Sequence, residues 1–409
     1  MIGRLTHFLL QRPRTFSRWT LSKFLMKTIS SIGTKLFLLV SLLFLTCEFL
    51  IYFPGQLSCS WPKLKTGKQS STIEPLHVIF LADTHLLGQR FGHWFDKLRR
   101  EWQMQRSFQT AMSLFHPDAV FILGDIADEG KWEDEEQFLS TTTRFRRIFA
   151  VPDYTELYVV AGNHDIGFHD YVHRSRLFRF QKHFDLAAVK VISKNNIVFI
   201  LMNSMAFHGD GCSMCSEAYK QLRQVSEQLN CTRHQSVTGR QDNTKDRNKC
   251  DRYEKLPSTK PIVLQHFPLY RESDTICEGP DAPPEAEKSI QHQVRKDVLS
   301  KEASDMQLSL LQPRMILSGH THHACYVVHS QGRTPEISVP SFSWRNRNNP
   351  SFILATITED DFLWEKCFLP EESTVKFLYV IGGAIVILWL VRETYQYCMF
   401  TKAKRTKYP

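Results

Sequence analysis

Residues 119–130 read AVFILGDIADEG: an unbroken apolar run, a glycine, then Asp125 and, three residues on, Asp128. Such a run is the pattern of a strand buried on both faces. Its carboxyl end delivers a side chain that binds metal well. Four other stretches repeat the plan: HVIFLADTH (77–85, with Asp83 and His85), LYVVAGNHD (157–165, with Asn163, His164 and Asp165), PIVLQHFP (261–268, with His266) and MILSGHTHH (315–323, with His320 and His322). Ligands in open α/β sheets gather outside the carboxyl ends of the strands, so these ends are predicted to converge on one crevice. Glycine stands just before the polar residue in three of them (Gly124, Gly162, Gly319), where the backbone must come close to the site. A lone histidine after an apolar run is ordinarily structural. Here the histidines follow the runs in a repeated setting, which favours a functional reading.

The order D-x-H, G-D-x-x-D, G-N-H-D, H, G-H-x-H resembles the calcineurin-like metallophosphoesterases over roughly residues 76–357. That resemblance implies an α/β/β/α sandwich of two mixed sheets and a two-metal centre. Carried over position by position, it gives Asp83, His85, Asp125 and His322 to one divalent ion. Asp125, Asn163, His266 and His320 go to the other, with Asp125 as the bridge. It makes His164 the proton donor to the leaving group and Asp165 the residue that orients the His164 ring. The chemistry suits the residue types. Two ions sharing one carboxylate activate a water as hydroxide at neutral pH and absorb charge on the phosphoryl oxygens. Imidazole and hard oxygen donors suit Mn, Fe or Zn, with manganese the expectation here. Asp128 either orients a ligand or caps the helix that follows.

The formal charge is +9 over 409 residues, and it is concentrated in the tails. Residues 1–35 carry Arg4, Arg12, Arg14, Arg18, Lys23, Lys27 and Lys35 without an acidic residue, and residues 392–409 are also basic. The body between is close to neutral, which argues against a nucleic-acid partner and for a membrane. Two apolar segments fit that reading, since about 20 such residues cross a bilayer. Residues 36–53, LFLLVSLLFLTCEFLIYF, read as an uncleaved signal anchor, because no small-x-small site follows. A second span is predicted over 375–397, centred on Phe377–Val391. Glu48 lies in the first segment and either reaches the interface or marks a proton path. Basic flanks place both tails, 1–35 and 398–409, in the cytosol and the body in the lumen. Eight of the ten cysteines fall in that body, an even number suited to disulfides in an oxidising compartment. Asn230-Cys231-Thr232 is a glycosylation sequon, expected in a polar loop.

Within the body, residues 54–75 read as an extended stalk and 76–370 as the catalytic domain. Trp94–Ser113 and residues 133–149 read as amphipathic helices. Asn196–Asn203 reads as a strand without a ligand that opens the second sheet. Residues 212–257 read as an insertion, in which Cys212-x-x-Cys215 is either half a zinc site or, as favoured here, disulfide-bonded. Residues 276–293 read as a second, exposed insertion. Arg345 and Arg347, in SFSWRNRNNPSF (341–352), either pair with substrate phosphate or brace a surface turn. The C-terminal RTKYP, with Arg405 and Lys407, is either a dilysine-like retrieval signal, implying a COPI coat or cargo receptor as partner, or simply a basic flank.

Together with the two spans, GHWFDKLRREWQM (92–104) and SFSWRNRNNPSF narrow the resemblance to a membrane-tethered branch of the family. It implies a phosphodiesterase that removes the ethanolamine-phosphate branch from the second mannose of GPI anchors. GPI-anchored proteins are then the substrate, and the endoplasmic reticulum exit sites, the intermediate compartment and the cis-Golgi are the location. Two other readings stand beside it: a lumenal phosphatase for nucleotides or phosphoproteins, and a non-catalytic adaptor for GPI-anchored cargo.

Overall fold

The computed structural model describes residues 18–64, 74–168, 172–209, 211–212, 214–238, 250–329 and 333–407. The chain divides into two compact units: Leu50–Thr374, and the terminal segments up to Phe49 and from Val375.

In the larger unit, eleven strands form the two mixed sheets expected from the sequence. β1 (Leu76–Leu81), β2 (Ala119–Ile122) and β3 (Glu156–Val159) run parallel. β10 (Ser351–Ile357) and β11 (Phe362–Phe368) complete their sheet on the β1 side in the order β11-β10-β1-β2-β3. The second sheet has the order β4-β5-β6-β7-β9-β8. Its members are β4 (Val189–Lys194), β5 (Ile197–Met202), β6 (Ile262–Gln265), β7 (Met315–Ser318), β8 (Cys325–His329) and β9 (Thr334–Ser338). β1, β2, β5, β6 and β7 are apolar and buried nearly throughout, so the central strands of each sheet are covered on both faces, while outer strands such as β8 keep exposed residues. Phe121 stacks between Phe80 and Tyr158 along the first sheet, at 5.5 and 5.1 Å, and meets Phe199 of the second at 4.9 Å. That contact joins the two sheets into one core.

The predicted helices are present as Trp94–Phe115 and Glu135–Ile148. The second is capped by Asp134, whose carboxylate accepts from Gln137 N at 2.8 Å, so Asp128 is not its cap. Several expectations need correction. The second sheet is opened by β4, which pairs antiparallel with β5. The 212–257 insertion begins with a long helix, Cys215–Thr238, that buries Ala218, Leu222, Val225 and Leu229 in the main core. Those four recur at helical spacing, a periodicity hidden by the polar residues between them. The sequon therefore lies on a helix, with Asn230 exposed, and not in a loop. The charged tract at 239–249 lies outside the described residues. In the 276–293 segment, most residues are exposed, but Cys277 and Asp281 are fully buried anchors.

The stalk is also more structured than expected. Tyr52–Leu57 is helical, Gln56 Nε2 donates to Ser107 O at 3.1 Å, and Trp61 Nε1 donates to Phe115 O at 3.1 Å. Residues 65–73 lie outside the described residues. Eight cysteines pair as Cys59–Cys367, Cys212–Cys215, Cys231–Cys250 and Cys277–Cys325. The Cys-x-x-Cys pair is thus a disulfide, not half a zinc site. Cys59–Cys367 closes a loop across 308 positions, for which the chain-entropy account gives on the order of 5 kcal/mol. A Cys59→Ser chain is therefore expected to unfold at clearly lower temperature than wild type, read by thermal scanning of the purified full chain. An unchanged midpoint would show that the ends are held without the bond.

A buried ion cluster predicts an acid limb. Asp274 Oδ1 accepts from Arg271 Nε at 2.8 Å and pairs with His292 Nε2 at 3.0 Å. Burial alone would raise this carboxyl, but the His292 hydrogen bond and the Arg271 charge hold it down at about 2, against an ordinary 3.8. The folded value is depressed, so the stabilisation is complete above the ordinary value and lost as pH falls toward 2. The shift corresponds to about 2 kcal/mol. Asp274→Asn should remove that part of the pH dependence of stability, measured by denaturant unfolding between these limits.

The smaller unit holds helix Arg18–Leu45, a π-helical turn Thr46–Leu50 and most of helix Glu372–Lys407. The apolar stretches Ser31–Leu57 and Glu372–Ala403 are long and apolar enough to cross a membrane. Within this unit the two helices touch. A Cβ on Gly382 would lie 2.3 Å from Leu43 Cδ1, the close approach that small residues permit between apolar helices. Glu48 Oε1 accepts from Tyr379 OH at 2.5 Å. Residues 1–17 and the final Tyr408 and Pro409 lie outside the described residues, and so do the side chains of Arg405 and Lys407.

Candidate metal centre

The five strand ends do converge. β1, β2 and β3 of one sheet and β6 and β7 of the other point their carboxyl ends at one place, and hydrogen bonds brace it across the sheets. His320 N donates to Asp83 Oδ2 at 3.0 Å, linking the loop after β7 to that after β1. His266, after β6, meets the Leu123 carbonyl beyond β2 through Nδ1 at 2.8 Å. His164 N, after β3, donates to Asp125 Oδ1 at 2.7 Å.

The backbone is bent hard to do this. Asp83, His85, Asp125, His320 and His322 all have φ between 45° and 73°, a left-handed conformation that costs a non-glycine residue roughly 1 kcal/mol or more. Five of the seven expected ligands share it, so the turns after β1, β2 and β7 are curled to aim side chains inward. Gly162 serves the same crowding: a Cβ there would sit 2.1 Å from Asp125 Oδ1.

The side chains expected as ligands gather in overlapping groups. Asp83, His85 and His322 offer donor atoms within 4.8 Å of one another, and so do Asp125, His266 and His320. Asn163 Oδ1 lies 3.0 Å from His266 Nε2, within the second set. Asp125 Oδ2 is 3.2 Å from His266 Nε2 and 3.5 Å from His85 Nε2, so it lies between the two groups. Two further groupings occur: His85, Asp125 and His164 overlap both sets, and Asp274 with Cys277 and Cys325 is accounted for by the disulfide between the two cysteines.

Tautomers are set by what holds the far side of each ring. His85 Nδ1 donates to Asp128 Oδ1 at 3.0 Å, and His266 Nδ1 donates to the Leu123 carbonyl. His320 Nε2 donates to the Lys296 carbonyl at 2.7 Å. His85 and His266 thereby turn a bare Nε2 inward, and His320 a bare Nδ1. His85 Nε2 and His322 Nε2 stand 3.2 Å apart, close enough for one ring to donate to the other. Burial pushes His320 down to about 3, and burial with the neighbouring His85 lowers His322, so both are neutral as ligation requires. Burial raises Asp83 to about 7. At Asp125 burial is outweighed by His266 and His164, which hold its carboxyl well below the usual range. Burial disfavours a charged His266, but Asp125 more than reverses this and lifts it to about 9. A divalent ion held by these residues would take the place of that proton. On donor chemistry, the residues fit two divalent ions.

Asp165 departs from its expected role. Its oxygens accept from Ala127 N at 3.0 Å and Gly162 N at 2.8 Å, tying the two ligand loops together. The His164 ring is held instead by Asp128, whose carbonyl accepts from Nδ1 at 2.7 Å. Asp128 therefore orients two rings, His85 by its carboxylate and His164 by its carbonyl. Arg345 reaches the same carboxylate at 3.4 Å and stays partly exposed at the rim. Arg347 is structural: Nη1 donates to the His322 carbonyl at 3.3 Å and also meets the His323 ring. Ser341 Oγ and Asn346 Nδ2 grip the Asp83 carbonyl at 2.7 and 3.4 Å, contacts that nothing in the sequence announces. Asp128→Ala should lower metal affinity roughly 10- to 100-fold with the fold intact, read by metal titration of the purified chain.

This fold and this cluster define a metal-dependent phosphoester hydrolase. The chain belongs to the calcineurin-like phosphoesterase family, which residues 76–324 match. Relatives named Metallophosphoesterase 1 lie near it over a much longer stretch. That of Gallus gallus is 49% identical over 358 residues, covering 87% of this chain and 88% of its own. That of Ailuropoda melanoleuca is 49% identical over 370 residues, covering 90% and 92%. That of Xenopus laevis is 48% identical over 363 residues, covering 86% and 88%.

Proposed function

We propose that this chain is a membrane-anchored lumenal phosphodiesterase that removes the ethanolamine-phosphate branch from the second mannose of GPI anchors. In doing so it promotes the transport of GPI-anchored proteins from the endoplasmic reticulum to the Golgi. The observation that carries the catalytic part is the single shared carboxylate, Asp125, between two complete ligand sets. Asp83, His85, Asp125 and His322 would hold one ion, and Asp125, Asn163, His266 and His320 the other, with manganese the metal proposed. When bound, such a pair supplies Lewis acidity and an activated water. The chain supplies the rest. His164 is the least buried of the cluster, its side chain 31% exposed, and its Nδ1 is fixed by Asp128. Its Nε2 is the atom placed to protonate the leaving alkoxide. Asp165 keeps the loops carrying Asp125 and His164 in register, and Arg345 is the cation at the rim for a substrate phosphoryl oxygen.

Three features support the lumenal, glycolipid-directed part. The larger unit holds all eight paired cysteines, as suits an oxidising compartment. Two apolar helices suit a tether that raises the effective concentration of a membrane-borne substrate. Likeness to the relatives extends well past the catalytic domain. In cells lacking the protein, wild type should restore cargo GPI without the ethanolamine-phosphate branch, and Asp125→Ala should leave it in place. Rescue by the alanine variant would favour an adaptor. Faster turnover of nucleotides than of a GPI glycan by the purified chain would favour a phosphatase. The C-terminal tail is proposed to meet a COPI coat or cargo receptor.

A further inference from the structure

Helix Trp94–Phe115 begins with an unusually apolar exposed end. Trp94, Phe95 and Leu98 are 69%, 53% and 58% exposed, and Phe91, just before the helix, is 67% exposed. Phe91 meets Trp132 edge-on at 5.9 Å, and Trp94 meets Phe95 at 5.6 Å. Cations lie among them: Arg90 over the Trp132 ring at 5.7 Å and Lys131 over the same ring at 4.6 Å. Large aromatic side chains interleaved with Lys and Arg on one exposed surface are the composition of a bilayer-interface element.

Position says the same. The chain leaves the larger unit at two places, near Leu50 and near Thr374, and both are fastened to this helix. Gln56 Nε2 donates to the Ser107 carbonyl at 3.1 Å, and Arg99 pairs with Glu372 at 2.6 Å. Glu372 is the first residue of the C-terminal apolar helix. The other edge of the patch belongs to the catalytic loop. Glu129, next to Asp128, accepts from Arg90 N and Phe91 N, both at 2.7 Å.

We propose that Phe91, Trp94, Phe95 and Leu98 bed into the headgroup boundary of the lipid bilayer that the chain spans, with Arg90 and Lys131 facing lipid phosphates. The metal centre then opens beside the membrane surface, where a glycolipid headgroup is delivered to it. This deepens the functional reading above and rests on its membrane attachment.

The test uses the full chain in vesicles of phosphatidylcholine with phosphatidylserine. A photoreactive benzoylphenylalanine is placed at Phe91, Trp94 or Phe95, with Phe178 and Tyr154 as exposed controls distant in sequence and Val380 as a control within an apolar helix; these are 70%, 57% and 70% exposed. Lipid adducts are expected at 91, 94, 95 and 380, with few at 154 and 178. Adducts at 380 but not at the patch, or patch adducts with a second copy of the chain or another protein, overturn the proposal. Absence of adducts at 380 overturns the membrane attachment itself. In the second arm, Phe91→Ser/Trp94→Ser/Phe95→Ser should keep wild-type turnover of water-soluble bis(4-nitrophenyl) phosphate. Turnover of a bilayer-embedded phosphodiester lipid should fall by about tenfold or more. Equal loss on both substrates would make the patch structural. Failure of wild type on the soluble diester would instead count against the phosphodiesterase reading.

Discussion

Asp125→Ala is expected to lower phosphodiester turnover by on the order of 10⁴-fold and to empty at least one metal position. The size follows from what meets at this carboxylate. Oδ2 stands 3.2 Å from His266 Nε2 and 3.5 Å from His85 Nε2, and Oδ1 accepts from His164 N at 2.7 Å. Removing it would deprive both proposed ligand sets of their common anion and free the loop that carries His164, the proposed proton donor. Asp125→Asn keeps the shape and the hydrogen bond but not the charge, so it should fail almost as badly. Metal content of the purified full chain, measured beside turnover, is the check. Two bound ions and near-normal rates in either variant would remove Asp125 from its central place.

His164→Ala should show a loss that depends on the leaving group. A protonated imidazole contributes roughly 10²- to 10⁴-fold when the departing oxygen is a poor leaving group. An ethanolamine or sugar alkoxide is poor; a nitrophenolate departs without help. The variant should therefore lose most of its kcat on an alkyl diester and little on a nitrophenyl diester, with metal content unchanged. Equal losses on the two would assign His164 to ligand or substrate positioning. Asp128→Ala frees the His85 carboxylate contact but leaves its own carbonyl on His164. It should therefore weaken metal binding more than it alters leaving-group dependence.

The catalytic core was unusually legible from the chain. Buried strands announce themselves as apolar runs, and each ligand stands directly after one, so β1, β2, β3, β6 and β7 and their loops follow from local pattern alone. The two metal sets came with the family resemblance. What stayed hidden depends on contacts between segments distant in sequence. Asp165 follows His164 in the chain, yet the chain turns so that its carboxylate faces Gly162 and Ala127. Ser341 and Asn346 reach Asp83 across most of the sequence. Cysteine pairing is of the same kind, since eight cysteines give no connectivity by themselves. The Cys215–Thr238 helix was obscured for another reason: its thin apolar stripe is embedded in a polar, cysteine-bearing stretch that reads as an insertion.

β1 lies in the middle of its sheet, between β2 and a strand made almost at the end of synthesis, β10. Cys59 likewise waits for a partner 308 positions downstream. At ordinary rates of synthesis that interval is about 15–60 s. Throughout it, one edge of β1 has no strand to meet and one thiol has no mate. A ribosome-bound chain in this condition is a client for chaperones and thiol oxidoreductases, and a truncation anywhere before β10 leaves the sheet open rather than merely shortened.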